Sequence, residues 1–222
     1  MEKIFPGVWK KNDHLFTKNL VPGDKTFCKK PVTFKGKEYR EWVSHRSKPA
    51  AAIMNGLKTF PIKEGMKILY LGIASGQTAT YLSDIVGKNG VIYGIEFSER
   101  CVRDLNPVAE KRGNIVPILG DARKPEEYGW IEKVDIIIED VASDDQSPIM
   151  IRNAERFLKP DGFAMIAIKA RSIDVVREPM EIYKQELEKL KKHFKILDKV
   201  ILDPYEKDHM FLVMERKSRK KI

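Results

Sequence analysis

Three carboxylates each close an apolar run. Glu96 ends Val91-Ile-Tyr-Gly-Ile-Glu96, Asp121 ends Asn114-Ile-Val-Pro-Ile-Leu-Gly-Asp121, and Asp140 ends Val134-Asp-Ile-Ile-Ile-Glu-Asp140. Runs of this length and apolarity are buried strands, and acids at successive strand ends face one crevice in doubly wound α/β folds. There they accept hydrogen bonds from ribose hydroxyls and base amino groups. A glycine turn precedes them, in Lys67-Ile-Leu-Tyr-Leu-Gly-Ile-Ala-Ser-Gly-Gln-Thr78. Gly72 breaks the strand, and Gly76 opens a helix whose free N–H groups favour polar or anionic ligand atoms. Glu96 follows Gly72 by 24 residues, near the spacing of about 20 at which an acid takes ribose hydroxyls. The dinucleotide fingerprint G-x-G-x-x-G is not met, because Ala74 stands at its second glycine. That glycine admits a pyrophosphate, so the turn argues against NAD. Ribose and adenine recognition without a diphosphate points to S-adenosyl-L-methionine. An acid at a strand end also serves as a helix cap, and a glycine turn alone is structural in many folds. Three acids beside one turn favour a ligand. Lys169 adds a further signal. It ends the apolar run Phe163 to Ile168, and lysine is seldom buried unpaired.

Alternating strands and helices must position these groups. Strands are expected at 67–72, 91–96, 114–119, 134–139 and 161–169. Helices are expected near 77–86, 98–111 and 146–158, with a short turn or helix near 125–130. This alternation implies right-handed crossovers and a mainly parallel sheet, an α/β class with helices on both faces. An amphipathic helix covers 177–192. Two last strands, 195–202 and 210–215, are joined by Asp203-Pro-Tyr-Glu-Lys-Asp-His209. That link is too short for a crossover helix, so the two pair antiparallel. Ser47 is expected to cap a helix beginning Lys48-Pro49, and Gly56 to stop it.

Residues 1–45 read as a separate N-terminal β-hairpin module. Strand-favouring segments such as Lys3 to Trp9 and His14 to Leu20 are punctuated by Asn12-Asp13, Pro22-Gly23 and Lys35-Gly36-Lys37. Its aromatics are expected to pack onto the main domain, with RNA stacking as the alternative. The net charge of +9 suggests a polyanionic partner such as RNA, or a solubilising surface. Cys28 and Cys101 are too few for a disulfide framework or zinc site. A reducing, cytoplasmic location is expected, with no signal peptide and no membrane span.

Six blocks together resemble the fibrillarin family. They are Tyr70-Leu-Gly-Ile-Ala-Ser-Gly-Gln-Thr78, Ile95-Glu-Phe-Ser98, Gly120-Asp-Ala-Arg123, Asp140-Val-Ala-Ser-Asp-Asp-Gln146, Ile168-Lys-Ala170 and Pro204-Tyr-Glu-Lys-Asp-His209. They run in order over essentially the whole chain. The resemblance implies a Rossmann-like, seven-stranded methyltransferase sheet at 46–216, after the small antiparallel β module and before a basic tail at 217–222. The Gly/Arg-rich N-terminal region of eukaryotic members is not in these residues, which implies the archaeal form.

The resemblance also implies chemistry: transfer of methyl from S-adenosyl-L-methionine to a ribose 2′-hydroxyl of rRNA or tRNA. Its reactive tetrad falls on Lys48, Asp140, Lys169 and His209. Free lysine, with a pKa near ~10.4, is a poor base at pH 7 unless desolvated or set near other cations. Lys169, oriented by Asp140, is expected to take or relay the hydroxyl proton, while Lys48 and His209 position the ribose; the alternative is a tetrad that only aligns the hydroxyl. Cofactor contacts fall on Gly72, Gln77, Thr78, Glu96, Phe97, Asp121, Ala122, Asp140, Val141, Ala142 and Ser143. Glu96 is expected on the ribose, Phe97 against adenine, and Asp121 on its amino group. Gln77 replaces the family's threonine and Ser143-Asp144 its Gln-Pro, which puts side-chain contacts from Gln77 and Ser143 in question. Implied partners are a box C/D guide RNA, a Nop-family scaffold protein and a kink-turn-binding ribosomal-type protein. A non-catalytic RNA-binding subunit and a stand-alone small-molecule methyltransferase are the alternative functions.

Overall fold

The computed structural model describes residues 1–217, so the expected basic tail lies outside the described residues from Ser218 onward. Two sheets organise the chain. The first is antiparallel and built from β1 (Glu2–Phe5), β2 (Val8–Lys11), β3 (His14–Lys18), β4 (Val32–Phe34) and β5 (Lys37–Trp42), in the order β1-β2-β3-β5-β4. The segment Lys3 to Trp9 is two strands, not one, because Pro6-Gly7 turns it into a hairpin pairing Phe5 with Val8. Its aromatics divide by strand alternation. Trp42 is buried against the main domain and stacks on Tyr81 at 5.7 Å, whereas Trp9 packs edge-on against Tyr39 within the module at 5.0 Å.

The second sheet contains β6 (Lys67–Leu71), β7 (Val91–Glu96), β8 (Ile115–Leu119), β9 (Val134–Glu139), β10 (Leu158–Lys169), β11 (Phe194–Ile201) and β12 (His209–Arg216). Its order is β11-β12-β10-β9-β6-β7-β8. The five strands from β8 to β10 run parallel, and β12 is antiparallel to both β10 and β11. Helices α1 (Lys48–Met54), α2 (Gln77–Val86) and α3 (Glu99–Arg112) contribute Ala50, Tyr81 and Leu105 to the apolar cluster on one face. Helices α4 (Gln146–Phe157) and α6 (Pro179–Lys191) contribute Ile149 and Leu190 to the other, with short α5 (Ala170–Ile173) between them. The α5 helix was not expected, and the short turn or helix expected near 125–130 is a turn. No helix among the described residues is long and apolar enough to cross a membrane.

A buried ionic network fixes the first sheet to the second, and sequence reading missed it. Arg40 of β5 lies 3.7 Å from Asp84 of α2 and 4.0 Å from Asp24. Arg112 of α3 reaches the same two carboxylates at 2.6 and 3.4 Å. All four side chains are essentially excluded from water. Thr17 Oγ1 and Leu20 N also donate to Asp84, and Arg40 donates to Thr80 Oγ1. Two buried cations face two buried carboxylates, the balance a buried charge cluster requires, and the half-exposed Lys111 reaches Asp24 at 3.3 Å from outside.

Candidate active site

Strand order reverses between β6 and β9, each of which leads away in the opposite direction along the sheet. Such a switch point leaves a crevice outside the carboxyl ends of the strands. Gly72 follows β6 with φ +77°, and a Cβ there would meet the Asp140 carbonyl oxygen at 2.8 Å. Asp140 N in turn donates to Leu71 O at 3.0 Å. Gly72 is therefore required for the contact of two strand ends. Gly76 has φ +88°, and its Cβ would strike Leu105 at 2.5 Å, so this glycine seats α2 against α3.

A cleft of about 300 Å³ occupies the crevice. Gly72 and Ala74 form one side, and Glu96, Phe97, Asp121 and Ala122 form another. The segment Asp140, Val141, Ala142 and Ser143 closes it with Lys169. Glu96 accepts from Ala74 N at 2.9 Å and from Ser98 N at 3.0 Å, so its carboxylate is anchored at the cleft edge. Holding that bond puts Ala74 at φ +51°, a left-handed conformation uncommon for a residue with a Cβ. Phe97 is 80% exposed. A large ring left in water on a cleft rim suits a flat aromatic ligand. Asp121 is already engaged: burial acts to raise its carboxyl, but hydrogen bonds from the Arg123 side chain and backbone hold it below its usual range.

Gln77 and Thr78 are not among the lining residues. Thr78 is buried, and its hydroxyl donates to Ser47 Oγ at 3.0 Å. The Thr78 hydroxyl is thus engaged by Ser47, and one expectation is corrected: Ser47 sits at the α1 N-cap position without making a side-chain cap. The Ser143 hydroxyl is likewise spent on Asp145.

The four residues of the implied tetrad converge beside this cleft. Asp140 lies between two lysines, with Lys169 Nζ 3.1 Å from Oδ1 and Lys48 Nζ 3.7 Å from Oδ2. The directed hydrogen bond of Lys169 goes to the Asp140 carbonyl oxygen, so the buried Oδ1 has an ion-pair neighbour but no hydrogen-bond donor. His209 is the register partner of Lys169 across β10 and β12. Its Nδ1 lies 2.6 Å from Lys207 O, a carbonyl that only accepts. Nδ1 therefore carries a proton, which leaves Nε2 for a ligand. Lys48 has a second acid, Glu206, at 3.5 Å.

Two supporting residues were not singled out in the sequence, although Gln146 closes one of the six family blocks and Glu139 stands beside Asp140. Gln146 is wholly buried and joins the loop at Ser143 to the end of β10. Its Nε2 donates to Ser143 O at 2.7 Å and to Lys169 O at 3.2 Å, and its Oε1 accepts from Lys169 N at 2.9 Å. Gln146→Leu strands these backbone groups and is expected to destabilise the fold by about 2–4 kcal/mol, read from urea unfolding. Glu139, one residue before Asp140, is 1% exposed, and neither carboxylate oxygen has a partner. Burial, and then the nearby Asp145, Glu186 and Asp140, push its carboxyl well above the usual range. An acid raised in the folded state loses stability as pH climbs above its unfolded value, by about 1.4 kcal/mol per pH unit until the folded pKa is reached. Glu139→Gln removes that loss. Its Tm relative to the parent is expected to rise from pH 4 to pH 7, measured by calorimetry; a pH-independent difference would contradict the buried-acid account.

A seven-stranded sheet with one antiparallel strand inserted at β12, a glycine turn at the switch point and acid-ended strands defines the class of S-adenosyl-L-methionine-dependent methyltransferases. The chain belongs to the fibrillarin family, whose sequence profile matches residues 1–218. It is 51% identical over 218 residues to a fibrillarin-like rRNA/tRNA 2′-O-methyltransferase of Pyrococcus furiosus, covering 96% of each. Aeropyrum pernix fibrillarin, solved with natively bound S-adenosyl-L-methionine, superimposes with TM-score 0.85 at 49% identity, over 93% of this chain and 92% of that one. A fibrillarin in complex with Nop5p gives TM-score 0.84 at 40% identity, over 95% and 98%.

Proposed function

We propose that this chain methylates RNA ribose 2′-hydroxyls with S-adenosyl-L-methionine as donor. The observation that carries the reading is Asp140 held between Lys48 and Lys169 at the mouth of the switch-point cleft. The cleft fits the cofactor. Buried Asp140 Oδ1 lacks a hydrogen-bond donor and suits the ammonium of a methionine moiety. Glu96 would hold the ribose hydroxyls, Phe97 would cover adenine, and Asp121 would share its carboxylate between Arg123 and the amino group. The cofactor, when bound, supplies an electrophilic sulfonium methyl.

The chain's own task is to align the acceptor and remove its proton. Lys169 Nζ, oriented by Asp140, takes the 2′-hydroxyl proton as a neutral amine and ends as an ammonium paired with the carboxylate. Lys48 holds the other oxygen of Asp140 in place. His209 Nε2 is left to contact the ribose or its phosphate. Alignment and general base catalysis each lower the barrier without any specificity for sequence. Choice of nucleotide is assigned to a box C/D guide RNA paired with rRNA or tRNA. A Nop-family scaffold of the Nop5p kind and a kink-turn-binding ribosomal-type protein would hold the enzyme over that nucleotide.

Methyl transfer from labelled cofactor to a short RNA tests this reading. The protein is assayed alone and with guide RNA and the two partner proteins, against a substrate with 2′-deoxyribose at the target. Guide-dependent labelling that vanishes with the deoxy substrate is expected. Labelling by the protein alone would favour a stand-alone enzyme. Cofactor binding and assembly without labelling would leave only a structural subunit.

A further inference from the structure

The positive charge of the chain is segregated. Residues 1–45 hold ten Lys and Arg against five Asp and Glu, and residues 217–222 hold four Lys and Arg and no acid. This leaves 27 basic and 27 acidic residues in 46–216, a net charge of zero. The domain that carries the reactive tetrad thus contributes none of the +9 excess. Within the N-terminal module the acids are largely occupied. Asp24 is buried with Arg112, Glu38 accepts from Asn19 and Gly23, and Glu41 pairs with His14. The lysines are not: Lys3 and Lys18 are exposed and are in no ion pair among the described residues.

These two lysines line a cleft of about 670 Å³ between the module and the main domain, with Lys63 and Lys88 opposite. Lys63 and Lys88 are also exposed and are in no ion pair among the described residues. Trp9 joins the wall, with Lys3 Nζ 5.9 Å from its ring centre. Of the two acids there, the Asp84 side chain is fully buried and spent on Arg112, so Glu64 is the one carboxylate at the surface. Lys63 precedes β6 and Lys88 precedes β7, so the cleft opens at the end of the sheet opposite Gly72 and Asp140. Four ammonium groups and an indole around one groove match a phosphodiester backbone with an unstacked base.

We propose that this cleft, with Lys3 and Lys18 of the module on one side and Lys63 and Lys88 of the main domain on the other, binds RNA backbone away from the methylated nucleotide. The inference rests on the RNA-modifying reading above, and its test separates the two. The full chain with Lys3, Lys18, Lys63 and Lys88 all changed to Gln is compared with a control in which Lys58, Lys184, Lys192 and Lys199 are changed to Gln. Both retain the basic C-terminal residues, and a cofactor titration and thermal melt confirm folding. Binding of a labelled 20-nucleotide single-stranded RNA is followed by fluorescence anisotropy from 50 to 300 mM salt. The cleft variant is expected to bind about 10-fold more weakly at 0.1 M salt, with a log–log salt slope shallower by about 2–3. The control is expected to stay within 2-fold of the parent. Equal losses in both variants, or none in the cleft variant, would overturn the proposal. So would unchanged RNA affinity with weakened assembly onto the scaffold protein, which would assign the cleft to an acidic protein surface. RNA retention at the cleft by a parent that transfers no methyl would uphold this inference while the catalytic reading fell.

Discussion

Lys169→Met is expected to lower guide-dependent methyl transfer by at least about 100-fold, the lower end of what a positioned proton acceptor contributes. The methionine keeps most of the volume but removes the ammonium that sits 3.1 Å from Asp140 Oδ1. Cofactor affinity is expected to shift by less than about 5-fold, because Glu96 and Asp121 are bound by their own neighbours, Ala74, Ser98 and Arg123. Lys169→Arg separates charge from proton transfer. It keeps a cation beside Asp140, yet a guanidinium does not give up a proton in this pH range. Arginine is therefore expected to leave assembly and cofactor binding intact and not to restore transfer. Single-turnover rates across pH 6 to 9 read this out. A Lys169→Met enzyme within 10-fold of the parent would show that the tetrad aligns the hydroxyl and that no side chain takes its proton.

The second large effect involves no residue that lines the active-site cleft. Arg40→Ala is expected to destabilise the fold by about 3–5 kcal/mol, the usual result of breaking a buried ion cluster by removing one partner. Asp84 is then left with Arg112 as its one cation among the described residues, which it shares with Asp24, while Asp24 keeps Lys111 as well; Thr80 Oγ1 and Thr26 O lose a donor, and the guanidinium no longer lies 4.6 Å over the Tyr81 ring. For a chain of this size such a loss lowers Tm by roughly 6–20 °C. Arg40→Met combined with Asp84→Asn removes one charge of each sign and fills the space, so it is expected to be milder than Arg40→Ala. The double-mutant cycle measures the coupling directly. A Tm drop under about 2 °C for Arg40→Ala would mean that apolar packing around Trp42 and Tyr81 holds the module in place.

Much of this architecture is written locally. The apolar runs at 68–71, 136–138 and 163–168 are continuous rather than alternating, which places them in a sheet covered on both faces. Gly72 and the acids Glu96, Asp121 and Asp140 mark strand ends, and Gly76 a helix start, by type and spacing alone. The short link before His209 forces an antiparallel last pair. Such features are legible because turn geometry and strand period act over a few neighbouring residues. Even there the reading slipped where one residue has two local uses: Ser47 stands where a cap belongs, but a hydroxyl from Thr78, 31 residues away, occupies it.

Tertiary structure decided the rest. Lys48 and Asp140 meet only because strand order reverses between β6 and β9, and Lys169 faces His209 only through the β10–β12 register. Arg40, Asp84 and Arg112 look like ordinary surface charges in sequence, and each is tolerable in the interior solely because the others arrive with it. Gln146 and Glu139 carry no local sign of burial either. The identity of a polar side chain states what it can bond, whereas its partner and its access to water are set by which distant elements the packed sheet brings against it.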